Sequence, residues 1–117
     1  MSVLSLLFFS VSSSTSLATG FLKTIATELA PNVITVNALL PGTHKTSRID
    51  QLAQHRAELE NKSKEDVIQE MMSANPSKTI GDPSDFGAAA AFLASVQARH
   101  ITGQNILVDG GNYKGLI

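Results

Sequence analysis

The chain has 117 residues, of which 43% are hydrophobic and 16% charged, and its formal net charge is −1. This balance is typical of a globular chain and excludes most disordered ones. The basic residues are scattered, so we expect no nucleic-acid partner. The absence of cysteine excludes disulfides and thiolate chemistry, and the three histidines follow no metal-ligand spacing, so we expect no metal site.

The first segment, Val3 to Val11, is rich in leucine, phenylalanine and valine and predicts a buried strand. It is far shorter than the roughly 20 apolar residues that span a bilayer. It also lacks the basic residues that precede a signal-peptide core. We therefore expect no membrane attachment and take the cytoplasm as the location.

A helix and a strand are predicted next. Apolar residues recur at every fourth position and predict a helix from Ser14 or Thr15 to Ala30: Leu17, Phe21, Ile25 and Leu29. Pro31 ends this helix, because the residue before a proline disfavours the α conformation. The nearly all-apolar run from Val33 to Leu40 then predicts a strand buried on both faces. This order is typical of a parallel sheet, so the fold class is α/β.

The next segment, Thr43 to Lys62, is polar and predicts a loop followed by an exposed helix. Ser63 and Asp66 have the spacing of a capping box, which predicts a second short helix. Together the two helices are interpreted as a helical insertion beside the sheet.

The C-terminal third contains one more helix and one more strand. Asp82, Pro83 and Asp85 are typical of a helix start, with a capping carboxylate and a proline in the first turn. The small residues of 87–91 favour close packing of this helix. Residues 106–108 predict a short strand, which ends at Gly110 and Gly111 because glycine accepts backbone angles closed to other residues.

Several short motifs occur in a fixed order: E-L-A-P at 28–31, V-N-A at 36–38, P-G at 41–42, I-G-D-P-S-D-F-G at 80–87, A-F-L-A-S at 91–95, I-T-G at 101–103 and V-D-G-G at 108–111. In this order and spacing the chain resembles the short-chain dehydrogenase/reductase family, most closely the 3-oxoacyl-acyl-carrier-protein reductases and the sugar or polyol dehydrogenases. The resemblance covers residues 14–117, whereas residues 1–13 are atypical. It implies a single partial domain: the C-terminal half of a Rossmann-type, doubly wound parallel sheet with a helical substrate-lid insertion.

The resemblance also implies a cofactor, NAD or NADP, and a place for it. Pro41 and Gly42 would border the nicotinamide, and Thr43, His44 and Thr46 would follow in the cofactor loop. Thr46 matches the family's threonine most closely, with an ordinary helix cap as the alternative. The family does not use a histidine at position 44, so we assign His44 no catalytic role.

The resemblance places the variable substrate lid of the family at residues 47–76. Met71 and Met72 are candidates for lining a substrate pocket, because methionine adapts to irregular apolar shapes, with core packing as the alternative. In family members the helix at residues 14–30 packs in a dimer interface. That implies a homo-oligomer, or pairing with a full-length relative.

The chain departs from the family at the catalytic positions. The family uses a tyrosine for proton transfer and a lysine four residues later that lowers its pKa. Counting back from Gly20 and Lys23 puts these positions at Val11 and Thr15, neither of which can do that chemistry. No glycine-rich dinucleotide motif precedes Gly20. We therefore assign no catalytic residue.

Three interpretations remain open. The chain is a truncated or divergent short-chain dehydrogenase/reductase whose parent activity is NAD(P)-dependent carbonyl reduction or alcohol oxidation. Alternatively, it is a non-catalytic interaction module, or a remnant, that pairs with a full-length relative. The third interpretation is a non-functional product of a broken coding sequence.

Overall fold

The computed structural model describes residues 4–9 and 15–115. In chain order it contains β1 (Leu4–Phe9), α1 (Thr15–Leu29), β2 (Ile34–Pro41), α2 (Ser47–Glu60), α3 (Lys64–Ala74), α4 (Pro83–Leu93) and β3 (Asn105–Val108), with 3-10 turns at Ala30–Asn32 and Val96–Ala98. The strands form one parallel sheet in the order β1-β2-β3. The predicted α/β class and the predicted strands and helices are confirmed. The predicted burial of β1 lies outside the residues whose side chains are described.

The central strand β2 is buried on both of its faces, as its apolar sequence predicted. On one face Val36 and Ala38 pack in a cluster with the inner side of α1, represented by Leu22 and Ala26. On the other face Leu39 packs in a second cluster with the end of α4 and the turn after it. The alternation follows from the two-residue period of a strand. This packing on both faces fixes the position of the C-terminal end of β2.

A buried asparagine joins β2 to the segment that leads into β3. Asn37 is 0% exposed, its Nδ2 donates to the carbonyl oxygen of Ile101 at 2.9 Å, and its Oδ1 accepts from the amide of Gln104 at 3.1 Å. The backbone strengthens this link, because the amide of Gly103 donates to the carbonyl of Val36 at 2.7 Å. The loop at 101–104 is therefore held against β2 before β3 begins.

The α2–α3 hairpin has an apolar cluster of its own. Ala53, Ala57 and Val67 are buried there, and Ile68 and Met71 pack against them. On the surface of the hairpin Arg56 pairs with Glu60 and Glu70, and Lys62 pairs with the same two carboxylates. The predicted cap of α3 is present, since the Ser63 hydroxyl accepts from the amide of Asp66 at 3.0 Å. The hairpin is thus a polar insertion with a small independent core.

Val33 has a backbone conformation that the sequence did not predict. Its φ of 60° and ψ of 31° lie in the left-handed region, where a β-branched residue is strained. The 3-10 turn at Ala30–Asn32 creates this demand, because the amide of Val33 donates back to the carbonyl of Ala30 before the chain enters β2.

Glycine at this position should relieve the strain. We expect Val33→Gly to raise the free energy of unfolding by about 1 kcal/mol, the balance of lost strain against the larger entropy of an unfolded glycine. Urea denaturation followed by circular dichroism checks this. The control is Val96→Gly, at an exposed valine without a left-handed φ, which should give no gain. A lower urea midpoint for Val33→Gly would contradict the strain argument.

Candidate functional site

A groove of 520 Å³ lies beyond the C-terminal end of β2, between the loop that leaves this strand and the first turns of α2 and α4. Ligands of parallel sheets bind at this end of the strands, where loop backbones can approach closely. All five predicted cofactor residues line the groove, together with six others: Pro41, Gly42, Thr43, His44 and Thr46, then Arg48, Ile49, Leu52, Pro83, Phe86 and Asn112. The structure therefore brings the predicted residues together.

Gly42 is fixed by its contact with the neighbouring strand. Its amide donates to the carbonyl of Val108 at 3.0 Å. A Cβ at this position would lie 2.6 Å from both the Cα and the Cβ of Asp109. The Asp109 carboxylate accepts in turn from the amides of Gly111 and Tyr113, at 2.9 and 2.8 Å. A glycine is therefore required at position 42 by backbone packing, independently of any ligand.

His44 is buried, with 9% of the residue exposed. Its Nδ1 lies 3.1 Å from the carbonyl oxygen of Gly42, and since a carbonyl only accepts, Nδ1 is the donor. The ring meets Phe86 edge-on at a centroid distance of 5.8 Å. A Cβ on Gly81 would come within 2.8 Å of the ring, so a glycine is needed behind it. The imidazole is held firmly, and its Nε2 has no partner among the described residues.

Thr46 is the N-cap of α2. Its Oγ1 accepts from the amide of Ile49 at 3.4 Å, and its carbonyl accepts from the amide of Asp50 at 3.0 Å. The helix-cap alternative is therefore confirmed. The hydroxyl proton of Thr46 stays available for a ligand in the groove, so its contact with a cofactor remains a prediction.

The opposite wall of the groove is the first turn of α4. Asp82 caps this helix, as predicted, by accepting from the Ser84 amide at 2.9 Å. The amide of Asp82 donates to Asp85 at 3.0 Å, which completes a capping box. Two hydrogen bonds lower the pKa of Asp82. The bond from the Ser84 amide has the larger effect, and the bond from the Ser84 hydroxyl has the next largest. This cap positions Pro83 and Phe86.

The close packing expected from the small residues of α4 is formed only in part. Ala89 and Ala90 pack against the apolar cluster beside β2. Gly87, in contrast, has open space where a Cβ would lie. The expectation was wrong at Gly87, because no element among the described residues covers the outer side of the helix there.

The two methionines predicted to line a substrate pocket lie on α3 and are partly buried. Met71 packs against the apolar cluster of the hairpin. Neither methionine lines the groove at the end of β2. Their contact with a substrate remains a prediction.

The expected catalytic positions carry no group for proton transfer. Val11 lies outside the described residues, and Thr15 is the first residue of α1. The nearby Lys23 is engaged elsewhere, since its Nζ donates to the carbonyl of Gly103 at 2.9 Å. Tyr113 is half-exposed and lies beyond β3, where its amide is bound to Asp109.

Six residues of the groove were missed by sequence reasoning: Arg48, Ile49, Leu52, Pro83, Phe86 and Asn112. Arg48, Ile49 and Leu52 share one side of the first turns of α2, and that spacing was a usable signal. Phe86 also packs against the apolar cluster beside β2, so its apolar character gave no separate signal for the groove. Pro83 and Asn112 come from distant parts of the chain, and no local pattern marks them as groove residues.

Within the described ranges, 4–9 and 15–115, no helix is long and apolar enough to cross a membrane. The same residues contain no group of three or more histidine, aspartate or glutamate side chains placed to hold a metal ion.

Comparison with known proteins identifies relatives over most of the chain. NADPH-dependent reductase BacG of Bacillus subtilis is 40% identical over 94 residues, which are 80% of this chain and 36% of that protein. The 3-oxoacyl-acyl-carrier-protein reductase FabG of Rickettsia felis is 41% identical over 92 residues, which are 79% of this chain and 34% of that protein. The chain thus spans about a third of the length of the curated relatives it matches.

Solved structures agree with the sequence comparison. Aldohexose dehydrogenase of Thermoplasma acidophilum superimposes with a TM-score of 0.78 at 30% identity, over 96% of this chain and 49% of that one. YwfH, described as an NADPH-dependent reductase involved in bacilysin biosynthesis, gives a TM-score of 0.76 at 36% identity, over 86% of this chain and 38% of that one. The family described as Enoyl-(Acyl carrier protein) reductase matches residues 14–112. The chain therefore belongs to the short-chain dehydrogenase/reductase family.

Proposed function

We propose that this chain forms the nicotinamide-facing and substrate-facing side of an NAD(P)-dependent oxidoreductase that reduces a carbonyl or oxidises an alcohol. The observation that carries the proposal is the gathering of Pro41, Gly42, Thr43, His44 and Thr46 around one groove at the C-terminal end of β2. The names of the relatives support it, since BacG and YwfH are both described as NADPH-dependent reductases.

The residues of the groove fit a nicotinamide in two respects. Pro41 and Gly42 border the groove at the C-terminal end of the strand, where ligands of parallel sheets bind. The hydroxyl of Thr46 still has a proton to donate to an amide or phosphate oxygen. When bound, NAD(P) would supply or accept the hydride. Ile49, Leu52 and Phe86 would exclude water from the substrate.

At the expected catalytic positions this chain has no side chain that can transfer a proton. Valine at 11 has no exchangeable side-chain proton, and threonine at 15 carries no charge. We therefore propose that the chain binds the cofactor and positions the substrate, and that any turnover depends on groups from a partner chain. The cytoplasm is the proposed location.

Calorimetric titration of the chain with NADPH and NADH tests the proposal. We expect binding, and we expect Thr46→Val to weaken it about tenfold by removing one hydrogen bond to the ligand. Ser63→Ala is the matched control, because it removes the cap of α3 and leaves the groove untouched. A folded chain that binds neither cofactor at millimolar concentration would contradict the proposal.

A second candidate function is an interaction module that pairs with a full-length relative or with another copy of this chain. Two observations favour it. Phe21 on the outer side of α1 is 63% exposed, and the neighbouring Gly20 has open space where a Cβ would lie. Among the described residues, β1 pairs with β2 alone and has a free edge. Unpaired strand edges favour association with another chain.

Light scattering of the chain, alone and mixed with a full-length 3-oxoacyl-acyl-carrier-protein reductase, tests this candidate. We expect a complex that Phe21→Lys disrupts. Leu59→Lys is the matched control, because Leu59 on α2 is 72% exposed and distant from α1 in sequence and fold. A monomer under both conditions would exclude the interaction module.

A further inference from the structure

The groove at the end of β2 has one charged residue among its described lining residues, and the charge is positive. Arg48 lies in the first turn of α2 with its side chain exposed. It forms no ion pair or hydrogen bond with any described residue. An unpaired cation beside a groove attracts an anionic group of a ligand.

The polar groups beside Arg48 also suit an anion. The cap at Thr46 satisfies the amides of Ile49 and Asp50, and the first turn of α2 leaves the amides of Ser47 and Arg48 without a backbone acceptor. Free amides at the start of a 14-residue helix bind negative charge.

The rest of the groove is apolar. Ile49 and Leu52 extend from α2, and Pro83 and Phe86 face them from α4. Leu52 is half-exposed, and an aliphatic side chain at the mouth of a groove gains most when an apolar ligand covers it. A ligand that fits this surface has an apolar or aromatic body with an anionic group at one end.

We infer that the groove binds a substrate with a carboxylate or phosphate attached to an apolar or aromatic body, with the anion on Arg48 and the body on Ile49, Leu52 and Phe86. The inference rests on the proposed function, because it names the substrate class for the same groove. Arg48 is a specificity-determining residue here and takes no part in proton transfer.

Two probes that share a phenylalkyl body and end in a carboxylate or in a neutral hydroxyl test the inference. Binding of 3-phenylpropionate and of 3-phenylpropan-1-ol to the chain is measured by amide chemical shifts in NMR titrations. We expect the carboxylate to bind about tenfold more tightly than the alcohol, since a charge-assisted hydrogen bond to arginine is among the stronger ones. Arg48→Gln should abolish this preference. Arg99→Gln, at an exposed arginine outside the groove, should leave it unchanged.

Equal binding of the two probes to the unmodified chain would overturn the inference. A parallel titration with NADPH identifies the source of the anion. If Arg48→Gln weakens NADPH binding and leaves the 3-phenylpropionate affinity unchanged, Arg48 serves a cofactor phosphate and the inference is wrong. If the carboxylate preference depends on Arg48 but NADPH does not bind, the anion site stands and the proposed cofactor role fails.

Discussion

Replacing Asn37 by leucine is expected to lower the free energy of unfolding by about 3 kcal/mol. The amide side chain of Asn37 satisfies the carbonyl of Ile101 and the amide of Gln104 inside the sheet. Leucine has a similar volume but can neither donate nor accept. Two backbone groups would lose their partners, and each such loss costs about 1–3 kcal/mol where water cannot replace it.

Urea denaturation of Asn37→Leu at 25 °C measures this effect. Asn32→Leu is the matched control, since Asn32 is exposed and makes no side-chain hydrogen bond among the described residues. Surface substitutions of this kind stay within about 0.5 kcal/mol. Equal urea midpoints for the two variants would show that the bonds of Asn37 contribute nothing to stability.

Replacing Gly42 by alanine is expected to destabilise the chain by about 1–3 kcal/mol, the usual cost of overpacking. The new methyl group would overlap the Cα and Cβ of Asp109. The backbone fixes the positions of both atoms, so no rotamer change relieves the clash. The end of β3 must shift. The amides of Gly111 and Tyr113 should move with it, because both are bound to the Asp109 carboxylate.

Two measurements check this prediction: the urea midpoint and the amide chemical shifts of Gly111 and Tyr113. Gly87→Ala is the control, since its methyl group enters open space on a helix. Alanine there should stabilise the chain by about 0.5–1 kcal/mol, because it loses less backbone entropy than glycine. Unchanged shifts in Gly42→Ala would mean that the strand end tolerates a side chain at this position.

Sequence reasoning succeeded where one element carries its own signal. The spacing of apolar residues predicted α1, and the all-apolar run predicted that β2 is buried on both faces. Asp82 predicted the start of α4, because its carboxylate can cap a helix. Each of these signals lies within a few residues, so no knowledge of the tertiary structure was needed.

The rest depends on contacts between distant parts of the chain. The bonds of Asn37 reach residues more than sixty positions away. The contact of Gly42 with Asp109 and the ring contact of His44 with Phe86 are equally non-local. In the candidate site, the family resemblance supplied the cofactor loop, but the wall formed by α4 became visible only in the folded chain. The positive φ of Val33 was not predicted, because valine is not a residue type that indicates a left-handed backbone conformation.

Because the α2–α3 hairpin has a core of its own, residues 47–74 can be replaced as a unit by the hairpin of another protein. Ala53, Ala57 and Val67 pack within the hairpin, so the two clusters that surround β2 do not depend on them. A hairpin grafted from another member of the family would meet the host chiefly at the groove, through the positions of Ile49 and Leu52. Exchange of this hairpin alone can therefore change the ligand preference of the groove, without repacking of the sheet.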